Sequence, residues 1–456
     1  MATAEPTKPL IVLTCTPGQG HVNPIKTLAK ALVLEGYEVT AVSSSHYRSA
    51  FEDVGCSYVA IQGYGDYWDD DRESKWPDRA LLPPGPEQFF YTIEHSFVRV
   101  IPDQFAAVQT AIKTLKDKHP DRPVVLLNES AFLGSLPIMK GARGVKPDGT
   151  IGIGINPVSL SSVDTAPFGP GLPPPKSPEE VAQYAAMRNQ IETVYYGKPQ
   201  AVFNSILQDL GAEVPPGFCF DAPYLWPDRF LQMCPPSTMY PRSDAPASVR
   251  YTGGLPKLPP SPTSSSSALP AWWHEITTPT TPNQDIIFVC QGTVDFDYTH
   301  LVLPTLTICA SRPNTLVIAV LGQPNATLPS SFPVPDNARV ADYIPFDLIL
   351  PHCSVFVGNG GYGGVQHSIA HGTPMVLAGE SEDKTEMCAI AAWAGVAVNL
   401  RSGTPSEEAL REGIEEVLRE GKYREACERI QKEIATFEPI EVIKENIREV
   451  VAGVGA

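Results

Sequence analysis

The chain has 456 residues, 43% of them apolar, enough to bury real cores in two or three domains. Its 51 acidic and 34 basic side chains give a formal net charge of -17, which removes any sequence-independent attraction to phosphate backbones and excludes nucleic acid as a partner. The longest apolar run near the N-terminus, Leu10 to Leu13, falls far below the roughly 20 residues of a membrane span and follows no basic leader, so a soluble, cytoplasmic protein without stable membrane insertion is expected.

Taken in order, Leu10 to Cys15 reads as a buried strand. Apolar residues at 25, 28, 29, 32 and 33 then follow helical spacing, Gly36 stops the helix, and Glu38 to Val42 returns to strand character. Tyr58 to Ile61, Val124 to Leu127 and Ile151 to Ile155 extend this into a parallel α/β series. A long loop from 62 to 90 carries Tyr64, Trp68 and Phe90 among acids and prolines, and a Pro-rich stretch runs from Val158 to Pro178. From 236 to 282 prolines and serines dominate, which reads as a linker. A second α/β series follows, with strands at Ile286 to Cys290, Thr315 to Val320, Arg339 to Ala341, Val355 to Val357 and Met375 to Leu377. The helical tail keeps one apolar face through Ile440, Ile443, Ile447, Val450 and Val454. Nine cysteines with no C-x-x-C pair read as reduced, mostly buried thiols.

Three segments carry chemistry, each placed after a strand. Pro17 to Pro24 reads PGQGHVNP, in which Gly20 permits close backbone approach and His21 is the side chain able to accept a proton near neutral pH. Gly358 to Gly364 reads GNGGYGG ahead of a helix, offering free N–H groups and a positive helix end to a phosphate. Gln291-Gly292-Thr293 is a further small-residue turn. The glycines at 358, 360 and 363 also fit a dinucleotide fingerprint, but that motif should open its domain, whereas here at least three strands precede it. His367 and His371, four apart, lack the third ligand of a metal site.

The PGQGHVNP block and the segment FVGNGGYGGVQHSIAHGTPMVLAGESEDKTEMCAIAAWAGVAVNL from Phe356 together resemble the nucleotide-sugar-dependent glycosyltransferases of family one. The resemblance extends to Gly292-Thr293, to Asp342-Tyr343-Ile344-Pro345 and to the terminal helix. It implies the GT-B fold: two facing Rossmann-like domains at 1–235 and 283–435, joined by the 236–282 linker, with residues 436–456 crossing back to the first domain. It also implies inverting, metal-independent transfer of a hexose, by default glucose, from a UDP-sugar that serves as co-substrate, with no cofactor.

In that reading His21 is the general base, supported by Glu129, with Asn128 the fallback. Gly20, Thr293, Tyr343, Asn359, Gly361, Gly363, Gly364, His367, Asp383 and Lys384 hold the donor. Asn359 stands where the family has a phosphate-facing His, His367 where it has a ribose-binding Glu, and Lys384 where it has Gln. Tyr64, Trp68, Phe90, Phe132 and Ser159 wall an acceptor pocket whose aromatic character suits a phenolic, terpenoid or lipid-like hydroxyl compound. A monomer or weak homodimer is expected. The rival readings are a catalytically silent nucleotide-sugar-binding protein and a nicotinamide-dependent oxidoreductase.

Overall fold

The computed structural model describes residues 8–83, 85–259, 269–278, 282–292 and 295–453. Two all-parallel sheets organise it. The first runs β3-β2-β1-β4-β5-β6-β7, with β1 Leu10–Thr14, β2 Val39–Ser43, β3 Ser57–Ala60, β4 Val124–Glu129, β5 Gly149–Gly154, β6 Arg229–Gln232 and β7 Val249–Tyr251. The second runs β10-β9-β8-β11-β12-β13, with β8 Asp285–Cys290, β9 Thr315–Val320, β10 Ala338–Ala341, β11 Val355–Gly358, β12 Met375–Leu377 and β13 Ala397–Asn399. This is the pair of Rossmann-like lobes expected of a GT-B fold.

The central strands are mostly apolar because helices cover both faces of each sheet, with polar residues such as Thr14, Asn128 and Glu129 near the strand ends. In β1, β4 and β9 every residue is buried. In each sheet the strand order reverses between two neighbours that are not consecutive in sequence, β1 beside β4 and β8 beside β11. Crevices open at the carboxyl ends of such strand pairs. All the chemistry-bearing loops of the sequence leave from these four strands: the His21 loop from β1, Glu129 at the end of β4, Gln291-Gly292 after β8 and the glycine loop after β11.

The segment 236–282, expected to be a linker, is not one along its whole length. Val249–Tyr251 pairs with β6 and forms the edge of the first sheet, so the first lobe extends beyond residue 235. One apolar core then spans both lobes, joining Val158, Tyr224 and Tyr240 to Phe288, Met387 and Val396.

The terminal helix Pro439–Val451 packs under β4, β5 and β6 of the first sheet. Ile443 and Ile447 are fully buried there, each contributing roughly 1.5–3 kcal/mol of apolar burial. Gly149 makes the approach possible, since a Cβ on it would lie 2.6 Å from Val450 Cγ2. Arg229 and Arg250 both reach Glu449, at 3.3 and 2.8 Å, and Lys444 reaches Glu35 at 2.6 Å.

Candidate active site

The helix α1, Gln19–Leu34, begins three residues before Val22, from which the helical apolar spacing runs. His21 therefore lies in its first turn, where its N–H donates to Gly18 O at 2.9 Å. A Cβ on Gly20 would meet nothing within 4 Å, so the space beside His21 is open.

His21 Nδ1 lies 3.4 Å from Glu129 Oε1. Glu129 is completely buried, and its charge is held by donors on every side: Thr16 N–H at 3.2 Å, Ala131 N–H at 2.7 Å and Ser130 Oγ at 3.3 Å. Burial pushes this carboxyl up, but the adjacent imidazole and these donors outweigh it and hold it below the usual carboxylate value. Burial likewise pushes His21 down, while the nearby carboxylate of Glu129 and the charge of Asp383 push it up more strongly, so the imidazole sits above its ordinary value. Asn128 turns away from His21: its Oδ1 accepts from Thr14 Oγ1 at 3.0 Å and its Nδ2 donates to Glu129 O at 3.1 Å. Of the two candidate partners, only Glu129 is in reach of the imidazole.

Across the cleft, the glycine loop leads into the helix Tyr362–Ala370, whose Gly361 cap brings no side-chain hydrogen bond. The first N–H groups of a helix have no intrahelical acceptor. Here those groups belong to Tyr362, Gly363 and Gly364, and a Cβ on Gly363 would meet nothing within 4 Å, so an anion could lie against them. Gly360, at φ +77°, turns the chain where a Cβ would collide with Cys388 Sγ at 2.2 Å.

Other donor-side residues depart from expectation. Asn359 was expected to donate to a phosphate, yet Nδ2 donates to Gln291 O and Oδ1 accepts from Gly361 N–H at 3.3 Å. Its amide closes the loop onto β8 because both polar atoms find backbone partners. His367 and His371 both contact Asp347 Oδ1, at 2.7 and 3.0 Å, which holds that carboxylate well below the usual range. Lys384 Nζ is bound by Glu382 and by Ser381 Oγ. Tyr343 is half exposed, at 51%, and free to stack on a ring. Asp383 and His21, on opposite lobes, act on each other electrostatically. Thr293 lies outside the described residues.

On the acceptor side the aromatics divide. Trp68 stacks on His46 with centroids 4.9 Å apart, and Tyr64 hydrogen-bonds His95 Nδ1 at 2.5 Å. Phe90 stacks on Tyr195 at 5.3 Å. Ser159 is fixed by Tyr224, whose hydroxyl meets its N–H at 3.0 Å and its Oγ at 3.2 Å. Phe132, expected to wall the acceptor pocket, is instead fully buried in the core beneath β1 and β4 and offers no surface to a ligand.

Sequence reasoning missed Asp69 and Arg72. Asp69 Oδ2 accepts the N–H of Gln19 at 2.6 Å, and its Oδ1 holds Arg72 Nη2 at 2.8 Å. The run Asp69 to Arg72 was visible as a charge cluster, but only folding shows that it lies on the His21 loop. Gln232, at the end of β6, was also missed; its Nε2 donates to Tyr362 Oη at 3.0 Å and ties the lobes together beside the site. A cavity of about 760 Å³ bounded by Tyr240, Trp393 and Arg429 contains none of these residues.

Comparison with known proteins points in one direction. The family model described as "Erythromycin biosynthesis protein CIII-like, C-terminal domain" matches residues 314–449. The chain is 36% identical to UDP-glucosyltransferase A1 of Starmerella bombicola, over 98% of this chain and 93% of that one. It is 36% identical to UDP-glycosyltransferase 2 of Phaeomoniella chlamydospora, over 98% and 97%. Among solved structures, the calicheamicin glycosyltransferase CalG4 shares the fold at a TM-score of 0.69 and 14% identity, covering 99% of this chain and 100% of that one.

Proposed function

The chain belongs to the UDP-dependent glycosyltransferases of family one, and from that membership we propose that it transfers a hexose, by default glucose, from a UDP-sugar to a hydroxyl of a small hydrophobic acceptor, with inversion at the anomeric carbon and His21 as general base. The observation that carries this reading is the contact of His21 Nδ1 with a buried, fully hydrogen-bonded carboxylate at 3.4 Å. A carboxylate on Nδ1 fixes the tautomer and stabilises the imidazolium as it forms. It leaves Nε2 to take the proton.

In the step itself the acceptor oxygen bonds to the anomeric carbon while its proton passes to His21. The bond from that carbon to the β-phosphate oxygen breaks, and its electron pair leaves with UDP. The free N–H groups at the start of the helix Tyr362–Ala370 suit the charge that develops on the diphosphate. Asp383, facing His21 from the other lobe, suits the sugar hydroxyls, and Tyr343 the uracil ring. No metal ion is required in this scheme. Chelators should leave the rate unchanged, and strict dependence on added Mg²⁺ would refute it.

A hydrophobic acceptor fits the exposed apolar side chains of the first lobe, among them Tyr64, Leu81, Phe89, Val194 and Tyr195. Nine free, buried cysteines fit a reducing cytoplasm, and among the described residues no helix is long and apolar enough to cross a membrane. The assembly in this reading is a monomer or weak homodimer.

The test is thermal stabilisation by UDP, dTDP, UDP-sugars and NAD, followed by an acceptor screen with His21→Ala as control. A selective shift with UDP or one UDP-sugar is expected. His21→Ala should abolish transfer while UDP binding survives. Loss of both together would make His21 structural, and no shift with any uridine or thymidine ligand would end the donor assignment.

A further inference from the structure

The donor site as described has a deficit of positive charge. Asn359 brings no cation and engages both its polar atoms within the protein. Lys384 is held by Glu382 and Ser381, and Lys75 donates to the carbonyls of Gly63 and Asp66. A leaving diphosphate would then meet backbone N–H groups alone on the second lobe.

Arg72, on the first lobe, is a cation beside the base. Its Nη2 would lie 3.5 Å from a Cβ on Gly18, and His21 Cδ2 would be equally close to that same point. The Asp69–Arg72 segment thus packs against the His21 loop at Gly18. Asp69 fixes the guanidinium from one side only, through Nη2 at 2.8 Å, while binding the N–H of Gln19 with its other oxygen. Arg72 Nε is buried and has no hydrogen-bond partner among the described residues. The side chain is 29% exposed, and its charge acts on both His21 and Glu382 of the opposite lobe. It therefore stands beside the base, part-exposed on the first lobe.

We propose that Arg72 binds the β-phosphate of the donor and takes up part of the charge that builds on it as the bond to the sugar breaks, a role that rests on the UDP-sugar reading above. A guanidinium suits this position because its planar fork can keep one N–H on Asp69 and present others to phosphate oxygens. Asp69 is then a positioning residue, orienting both Arg72 and the first turn of α1.

Calorimetric titration of the full chain with UDP and with UMP tests the assignment, because UMP lacks the β-phosphate. Arg72→Ala should weaken UDP about 10-fold, as expected for loss of a charge-assisted contact, and leave UMP unchanged. Arg72→Lys should recover part of the UDP affinity by restoring the charge without the fork. Unchanged UDP affinity in Arg72→Ala would overturn the proposal. So would equal weakening of UDP and UMP, or failure of Lys to recover any of the loss, since either marks a merely structural role. Failure of the wild-type chain to bind UDP or UDP-glucose would instead sink the donor reading itself, and this proposal with it.

Discussion

At His21 the sign of the pH dependence follows from which neighbour dominates. Burial lowers the imidazole's affinity for a proton and Arg72 lowers it further, but Glu129 and Asp383 together raise it above the ordinary 6.5. A general base acts unprotonated. The kcat/KM of the wild type should therefore rise with pH through an ionisation above 6.5. Glu129→Gln removes the charge but keeps an acceptor atom, so that ionisation should move down and the plateau kcat should fall by roughly 10²-fold or more. A variant profile superimposable on the wild type would remove Glu129 from the mechanism. The choice between Glu129 and Asn128 could not be read from LLNE, because adjacent strand residues point to opposite faces and the register decides which one meets α1. Pairing of β1 with β4 turns Asn128 onto Thr14 and leaves Glu129 under the imidazole.

Among the elements, the terminal helix was legible because its apolar stripe has nowhere to go but onto another surface. Which surface it covers was not, since the small Gly149 that accommodates Val450 lies some 300 residues away in sequence. Ile447→Ala should destabilise the protein by about 2–5 kcal/mol, the usual cost of a cavity at a fully buried aliphatic. Gly149→Ala should cost about 1–3 kcal/mol by forcing the helix off β5. Denaturant melts of both variants check this, and an Ile447→Ala midpoint equal to wild type would mean the helix does not hold the first lobe. Strands β6, β7 and β13 went unseen because they are short and broken by polar residues. Arg229 and Gln232 bracket β6, and their partners include Glu449 and Tyr362, which approach from other parts of the chain.

In the whole molecule the two lobes are joined by a buried carboxylate. Glu386, in the helix Lys384–Trp393, is 4% exposed and accepts the N–H groups of Gly169 and Gly171 from the Pro-rich stretch of the first lobe, at 3.1 and 2.8 Å. Burial pushes it from 4.5 up to about 7, against the pull of those N–H groups and Arg242. Because the folded state holds this proton more tightly than the unfolded chain, the contribution of Glu386 to stability is greatest below 4.5 and is lost as pH rises through 7, by roughly 3 kcal/mol across the window. Glu386→Gln keeps an oxygen for both N–H groups and cannot ionise. Its melting temperature should fall less than that of the wild type between pH 5 and pH 8 and exceed it at pH 8. Parallel curves would show that Glu386 does not titrate there.

The sequence by itself determined the two α/β series, the turns that follow their strands and the family signature, because these depend on local periodicity and on residues adjacent along the chain. Only the tertiary structure decided that Glu129 rather than Asn128 meets the imidazole of His21, that Asn359 closes its own loop, that Phe132 belongs to the core and that Asp69 and Arg72 lie against the His21 loop. Each of those outcomes is a meeting between residues distant in sequence, fixed by strand register and by the apposition of the lobes, and no local pattern records such a distance.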